Sequence, residues 1–89
     1  MRIEFAKSLA GHDRNQIYLI VRSDERFLYL ANGTTKTLEA PKKKNRSHLQ
    51  LIKKLPSEVT DCLLHEITDT TIKRAIKLYY QAMQHKHEF

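Results

Sequence analysis

The chain has 89 residues and a formal net charge of +6, from sixteen Lys and Arg against ten Asp and Glu. This length favours one domain with a modest core, and the single cysteine, Cys62, excludes the internal disulfides on which small secreted domains depend. Charges interrupt the N-terminal segment, and the longest apolar run, residues 17–21, is too short to span a bilayer. We therefore expect a soluble, cytoplasmic protein without a signal peptide or membrane contact.

The first half of the sequence predicts short strands. Residues 2–8 alternate loosely, while residues 16–21 and 27–31 are rich in β-branched and aromatic side chains. Asn32-Gly33 favours a tight turn with positive φ, after which residues 34–38 are predicted to return as a fourth strand. Pro41 ends that strand, and a fifth is predicted at residues 48–52. Five short strands joined by tight turns favour a small closed barrel.

A basic segment follows the predicted fourth strand, in a predicted loop at residues 41–48. Between residues 40 and 55 the chain contains no acid and six basic residues, which are Lys42, Lys43, Lys44, Arg46, Lys53 and Lys54. Like charges in such a run repel each other unless an anion neutralises them, and phosphate backbones are the commonest such anion. A solvated loop without a partner is the alternative interpretation.

The second half of the sequence changes to a helical period. Its apolar positions are Ile72, Ala75, Ile76, Tyr79, Tyr80 and Met83. They predict a helix over residues 69–85, with Thr68 as the N-cap. A shorter helix is predicted to start at residues 56–58 and to carry Val59, Cys62 and Leu63. We expect residues 56–89 to pack as a helical extension on a barrel formed by residues 1–55.

Four segments, taken in order, resemble a known family. Residues 9–21 (LAGHDRNQIYLIV) look like a KOW motif, which joins a loop to a strand in an SH3-like barrel. Residues 30–38 (LANGTTKTL) and 41–49 (PKKKNRSHL) resemble the bacterial KOW-domain RNA-binding proteins, relatives of the archaeal and eukaryotic large-subunit ribosomal protein L-fourteen-e. Residues 67–76 (ITDTTIKRAI) are similar to the helix that follows the barrel in those proteins.

The resemblance implies a mainly β fold with C-terminal α, in which a small five-stranded SH3-like barrel precedes one or two helices. It also implies a non-enzymatic RNA-binding protein that is associated with the ribosome or with translation. The family usually has glycine where this chain has Asn15, so we expect Asn15 to adopt a positive φ, which asparagine tolerates. Where a basic residue commonly follows Gly11, this chain has His12, which carries little charge near neutral pH.

Phosphate contact is therefore expected to fall mainly on Arg14 and on residues 42–48. The candidate RNA-binding residues are His12, Arg14, Lys36, Lys42, Lys43, Lys44, Arg46 and His48. Lysines act as point charges and Arg46 can grip a phosphate with two hydrogen bonds, so we expect recognition of backbone shape with weak sequence selectivity. Replacing Lys42, Lys43, Lys44 and Arg46 together with Ala is expected to remove binding and to leave the fold intact.

Other chemistry is weakly indicated. The aromatic residues Tyr18, Phe27, Tyr29, Tyr79 and Tyr80 occupy periodic apolar positions, which favours a core role over base stacking. A zinc site built from Cys62, His65, His85 and His87 does not match a usual finger spacing, so we expect neither metal nor cofactor. The sequence contains no Gly-rich phosphate loop and no nucleophile beside a histidine, so we expect no catalysis and no small-molecule substrate.

Two alternatives to RNA binding stay open. SH3-like barrels also bind proteins, so a protein-interaction module could use the barrel face or the last helix. DNA binding is the third hypothesis, although the sequence shows no helix with an obvious base-reading surface.

Overall fold

A computed structural model describes residues 2–85 of the chain. In this part of the chain five strands precede two helices. They are β1 (Phe5–Ser8), β2 (Ile17–Ser23), β3 (Phe27–Ala31), β4 (Lys42–Asn45), β5 (Leu49–Ile52), α1 (Ser57–His65) and α2 (Asp69–His85), and a 3-10 turn (Arg46–His48) joins β4 to β5. The predicted mainly β fold with C-terminal helices is confirmed. The predicted bounds of the long helix agree with those of α2.

All strands belong to one antiparallel sheet with the order β4-β3-β2-β1-β5. The first four strands follow one another as a meander, and β5 then returns to pair with the free side of β1. Among the described residues β4 and β5 are the two edges and do not pair with each other, so the sheet is open. The strand number expected from the sequence is correct, but the expected closure of the barrel is wrong.

The prediction of a fourth strand at residues 34–38 is also wrong, because that segment forms turns. Oδ1 of Asn32 accepts hydrogen bonds from the backbone N–H groups of Thr34 and Lys36, each at 2.9 Å. Such side-chain bonds offer the backbone an alternative to a ladder between strands. The segment predicted as a basic loop instead supplies β4, which pairs with β3 from Phe27↔Asn45 to Leu30↔Lys42.

The turn segment is held against the start of α2. The N–H of Leu38 donates to Oδ1 of Asp69 at 2.9 Å. Gly33 has a φ of +80°, which confirms the positive φ expected at this turn. A Cβ at Gly33 would collide with the backbone oxygen of Asp69 and would lie 2.9 Å from the backbone nitrogen of Lys73. Only glycine fits both the conformation and the space at this position.

Buried side chains form two clusters, in keeping with the alternation of residues along the strands. The first cluster contains Phe5, Ile17, Leu19, Ala31, Val59, Leu63, Ile72, Ala75 and Ile76, and so includes side chains of the strands and of both helices. The second contains Ala6, Tyr18, Leu28, Leu30 and Leu49. Alternation along β3 assigns Leu28 and Leu30 to one face and Phe27 and Tyr29 to the other. Phe27 and Tyr29 are only half-buried.

Candidate functional site

The turn between β1 and β2 depends on two residues with left-handed backbone conformations. Gly11 has a φ of +89° and Asn15 a φ of +74°, so the positive φ expected at Asn15 is confirmed. The N–H of Arg14 donates to the carbonyl of Gly11 at 3.2 Å, and the N–H of Asn15 donates to the carbonyl of Ser8 at 2.8 Å. This tightly bonded turn places the side chain of Asp13 over β1 and β4.

Asp13 is the centre of a cluster of side chains that the sequence analysis did not identify. Its Oδ1 lies 2.9 Å from Oγ of Ser8 and 2.6 Å from Nζ of Lys44. Its Oδ2 accepts hydrogen bonds from the hydroxyl of Tyr18 at 2.8 Å and from Nζ of Lys42 at 2.9 Å. The carboxylate is therefore an anion shared by two lysines of the basic segment, whose charge it neutralises only in part.

Lys44 is a structural residue of this cluster. Its ammonium group donates to Oγ of Ser8 at 2.8 Å, to the carbonyl of Ala10 at 2.8 Å and to Asp13. A lysine ammonium has three N–H donors, so all of them are occupied. The Lys44 side chain is only 10% exposed. This geometry leaves Lys44 no free donor for a phosphate.

Lys42 belongs to the same cluster but is more accessible. It makes one hydrogen bond to Asp13, and 31% of its side chain is exposed. Two of its donors are therefore free to meet another anion. Replacing all four basic residues of the segment is now expected to disturb the fold as well as any binding, because Lys44 supports the turn.

The electrostatics of the cluster follow from its contacts. Burial raises the pKa of the Asp13 carboxyl, but hydrogen bonds from Lys42, Lys44, Tyr18 and Ser8 outweigh it and hold that pKa well below its usual range. Burial and the hydrogen bond to Asp13 raise the pKa of the Tyr18 phenol. At neutral pH the cluster thus holds an ionised carboxylate and a neutral phenol.

Lys43 and Arg46 lie outside the cluster. Lys43 is exposed, and its Nζ lies 4.3 Å from the centroid of the Phe27 ring. Nε of Arg46 donates to the backbone carbonyl of Asp24 at 3.0 Å, which fixes one edge of the guanidinium and leaves the other in solvent. The N–H groups of Phe27 and Arg26 donate to the Asp24 carboxylate, and these bonds lower the pKa of Asp24.

A β-bulge brings one further cation beside an aromatic ring. The register between β2 and β3 shifts between Ile20 and Arg22, so that Arg22 rather than Val21 stands opposite Tyr29. The Arg22 guanidinium lies 4.1 Å from the centroid of the Tyr29 ring. The sequence analysis missed this pair because a bulge has no clear sequence signal. The alternation of Phe27 and Tyr29 with Leu28 and Leu30 was the available clue.

The remaining predicted contact residues differ in environment. His12, Arg14 and His48 are exposed, and Lys36 is half-buried in the turn segment that follows β3. The structure brings His12 and Arg14 into the same turn as Asp13, which binds Lys42. It places Lys36 in a different loop, whose backbone is bonded to Asn32.

The aromatic residues divide between the core and the surface. Tyr18 is 3% exposed, which confirms its predicted core role. Tyr79 is half-buried and packs edge-on against Phe5, with ring centroids 5.6 Å apart. Tyr80 is 43% exposed, so its predicted core role is wrong.

Most cations of the described residues lack an acidic partner. The ion pairs found within residues 2–85 are Lys42–Asp13 and Lys44–Asp13. Arg14, Lys43 and Arg46 have no carboxylate within 4.0 Å in this part of the chain. The surface around β4 therefore presents more cations than close ion pairs, and Asp24 interacts with Lys43 only at longer range.

The described residues contain no group of three or more His, Cys, Asp or Glu side chains arranged to hold a metal ion. The side chains of His85 and His87, which completed the zinc site considered from the sequence, lie outside the described part of the chain. Neither helix within residues 2–85 is long and apolar enough to cross a membrane.

Together the fold and the site define a small domain with an open antiparallel sheet, two C-terminal helices and a basic edge strand. Comparison with known protein families finds no family that matches the chain, and comparison with curated proteins finds no match. The resemblance to KOW-domain proteins therefore rests on the residues quoted above.

Proposed function

We propose that this protein binds RNA through a basic surface formed by Arg14, Lys42, Lys43 and Arg46. The observation that carries the proposal is the excess of positive charge, because one carboxylate, Asp13, meets two lysines, and Arg14, Lys43 and Arg46 have no carboxylate within 4.0 Å in the described residues. Unbalanced positive charge on a rigid strand attracts a polyanion, and its neutralisation releases counterions from the nucleic acid.

The geometry of this surface favours contact with the RNA backbone. β4 is an edge strand, so its side chains are held at fixed spacing by pairing with β3. Lysine ammonium groups and the free edge of Arg46 recognise phosphate without reading a base. His12 and His48 are exposed, lie close in sequence to Arg14 and Arg46, and add hydrogen-bond donors. In this proposal Lys44 acts by holding the turn, and Lys36 is a peripheral contact.

Cations stacked on aromatic rings support the same assignment. Lys43 lies over Phe27 and Arg22 lies over Tyr29, on the face of β3 opposite Leu28 and Leu30. Positive charge interleaved with partly exposed rings is typical of surfaces that bind single-stranded nucleic acid, where bases stack and phosphates are neutralised.

The family resemblance gives this proposal its biological setting. The open sheet order, with β5 returning beside β1, is compatible with an SH3-like fold. We propose a KOW-type domain without catalytic activity, which contacts ribosomal or other structured RNA during translation in the cytoplasm.

A protein-interaction module is the second candidate, and it is favoured by exposed leucines. Leu64 of α1 is 64% exposed and Leu51 of β5 is 39% exposed. Because these side chains are apolar, a protein docked on them would bind with little dependence on salt.

The direct test measures RNA binding by fluorescence anisotropy with a labelled structured RNA and with DNA of the same sequence. The variant Arg14→Ala/Lys43→Ala/Arg46→Ala should weaken RNA binding by at least about tenfold, which is about 1.4 kcal/mol. The control Arg2→Ala/Lys54→Ala/Arg74→Ala removes the same charge from other exposed positions and should weaken binding much less. Equal losses in the two variants would show that net charge, and not this surface, is responsible. Tighter binding of DNA would favour the DNA-binding hypothesis.

A further inference from the structure

A shallow groove lies between α2 and the start of β2, away from the aromatic rings of β3. Its lining includes Ile17 and Ile76, which are 5% and 8% exposed and form an apolar base. Tyr80 also lines the groove, with 43% of its surface exposed to solvent. An aromatic ring beside an apolar base, open on one side, is the arrangement on which a flat ring can stack.

Most polar groups around the groove are amides and amines. Gln16 and Gln81 line it and are exposed, and no hydrogen bond within the described part of the chain involves their side chains. Lys73 and Lys77 of α2 also line it, and neither forms an ion pair among the described residues. No acidic side chain belongs to the lining of this groove within residues 2–85.

We propose that this groove binds one unpaired base of the RNA, which stacks on Tyr80 while Gln16 and Gln81 bond to its edge. An amide side chain carries both donors and acceptors, as a base edge does. Lys73 and Lys77 hold the phosphates on either side of that base. The proposal rests on the RNA-binding function and adds hydrogen bonds to a base edge, which phosphate contacts and stacking on the basic surface do not supply, since sequence-selective RNA recognition acts mainly on unstacked bases.

The groove is continuous with the basic surface along the chain. Gln16 directly follows the turn that contains Arg14, and its N–H donates to the carbonyl of Asp13 at 2.9 Å. Asp13 in turn binds Lys42 of the basic surface. Gln16 therefore links the groove to the turn that carries Arg14 and binds Lys42, and we expect one RNA strand to contact both.

The test compares a single-stranded RNA with a fully paired RNA duplex on the wild type and on variants of Tyr80. Tyr80→Ala should weaken single-strand binding by about tenfold, leave duplex binding unchanged and leave the salt dependence unchanged, since stacking involves no phosphate. Tyr80→Phe retains the ring and should bind within about twofold of the wild type. Leu64→Ala, which removes a different exposed apolar side chain, is the control and should have no effect.

Two further measurements keep the outcome decisive. Lys73→Ala/Lys77→Ala should make the slope of log K against log salt shallower by about 1.4, from two lost contacts to a single strand. Gln16→Ala and Gln81→Ala should reduce the differences in affinity among the four homopolymeric RNAs.

If the wild type binds RNA and Tyr80→Ala binds equally well, the groove proposal is wrong and the RNA-binding function survives. If the wild type binds no RNA, both proposals are wrong. If a protein partner binds the wild type with little dependence on salt, and Tyr80→Ala removes that binding but leaves RNA binding unchanged, the groove is a protein-docking site and the proposal is overturned.

Discussion

Lys44 should be essential for stability although it is the last of three consecutive lysines in a run of basic residues. In Lys44→Met, three hydrogen bonds are lost, and Asp13 keeps only its contacts with Ser8, Tyr18 and Lys42. Breaking a buried ion pair by removing one partner destabilises a protein by about 3–5 kcal/mol. Because Lys42 still neutralises Asp13 and methionine retains the apolar stem, we expect the lower end, about 3 kcal/mol. For a domain of this size that corresponds to a fall in Tm of about 12–24 °C.

The matched control is Lys43→Met, one residue away on the opposite face of β4. Lys43 is exposed, lies over the Phe27 ring and interacts with Asp24 only beyond ion-pair distance, so its loss should destabilise the protein by less than about 1 kcal/mol. Urea unfolding followed by circular dichroism measures both variants. A double-mutant cycle with Asp13→Asn should give a coupling energy of about 1–3 kcal/mol. If Lys44→Met and Lys43→Met were equally stable, the structural role of Lys44 would be refuted.

Three further results are expected. Gly33→Ala should destabilise the protein by about 3 kcal/mol in urea unfolding, because its Cβ would meet the backbone of α2 at a residue with positive φ; an unchanged midpoint would contradict this packing. The pKa of Asp13 in the folded protein lies below its ordinary value of 3.8, so the ionised carboxylate stabilises the fold fully above pH 3.8 and less as the pH falls toward the folded-state pKa. Asp13→Asn should therefore be less stable than the wild type at neutral pH but should lose less stability on acidification. Parallel stability profiles of the two proteins against pH would contradict this role of Asp13. The pKa of the Tyr18 phenol is raised, so its hydrogen bond to Asp13 stabilises the fold fully below the ordinary pKa of 10.0 and less as the pH rises above it. In an alkaline titration followed by ultraviolet absorbance, the last tyrosine to ionise in the wild type should be absent from Tyr18→Phe.

The helices and the order of the early strands could be predicted because their signals are local. The apolar spacing in α2 and the cap at Thr68, which accepts a hydrogen bond from the N–H of Thr71 at 3.1 Å, depend on residues close together in sequence. The positive φ at Asn15 was also predictable, because few residue types tolerate it.

The position of β4 could not be predicted by the same means. A run of three lysines has low strand propensity, and its place in the sheet depends on Asp13, which is 29 residues from Lys42 in the chain. The segment after Gly33 was mistaken for a strand because the Asn32 side chain satisfies its backbone locally and contact with α2 holds it in place. The first error comes from a tertiary contact, and the second from local side-chain bonds together with a tertiary contact.

The candidate site was only partly predictable for the same reason. Sequence identified the basic run but treated its lysines as equivalent. The sheet separates them by alternation, with Lys42 and Lys44 directed to Asp13 and Lys43 over Phe27. An argument from charge count alone cannot distinguish a lysine that neutralises an internal carboxylate from one that is free to bind a ligand.

The salt dependence of RNA binding tests the central claim most directly. Anisotropy titrations between about 50 and 200 mM salt should give a slope of log K against log salt near −3 for four phosphate contacts to a single strand, or near −4 if Lys73 and Lys77 also bind phosphate. The variant Arg14→Ala/Lys43→Ala/Arg46→Ala should make that slope shallower by about 2, because it removes three contacts. A wild-type slope near zero, or no difference between the variant and the wild type, would contradict the assignment of this surface to RNA.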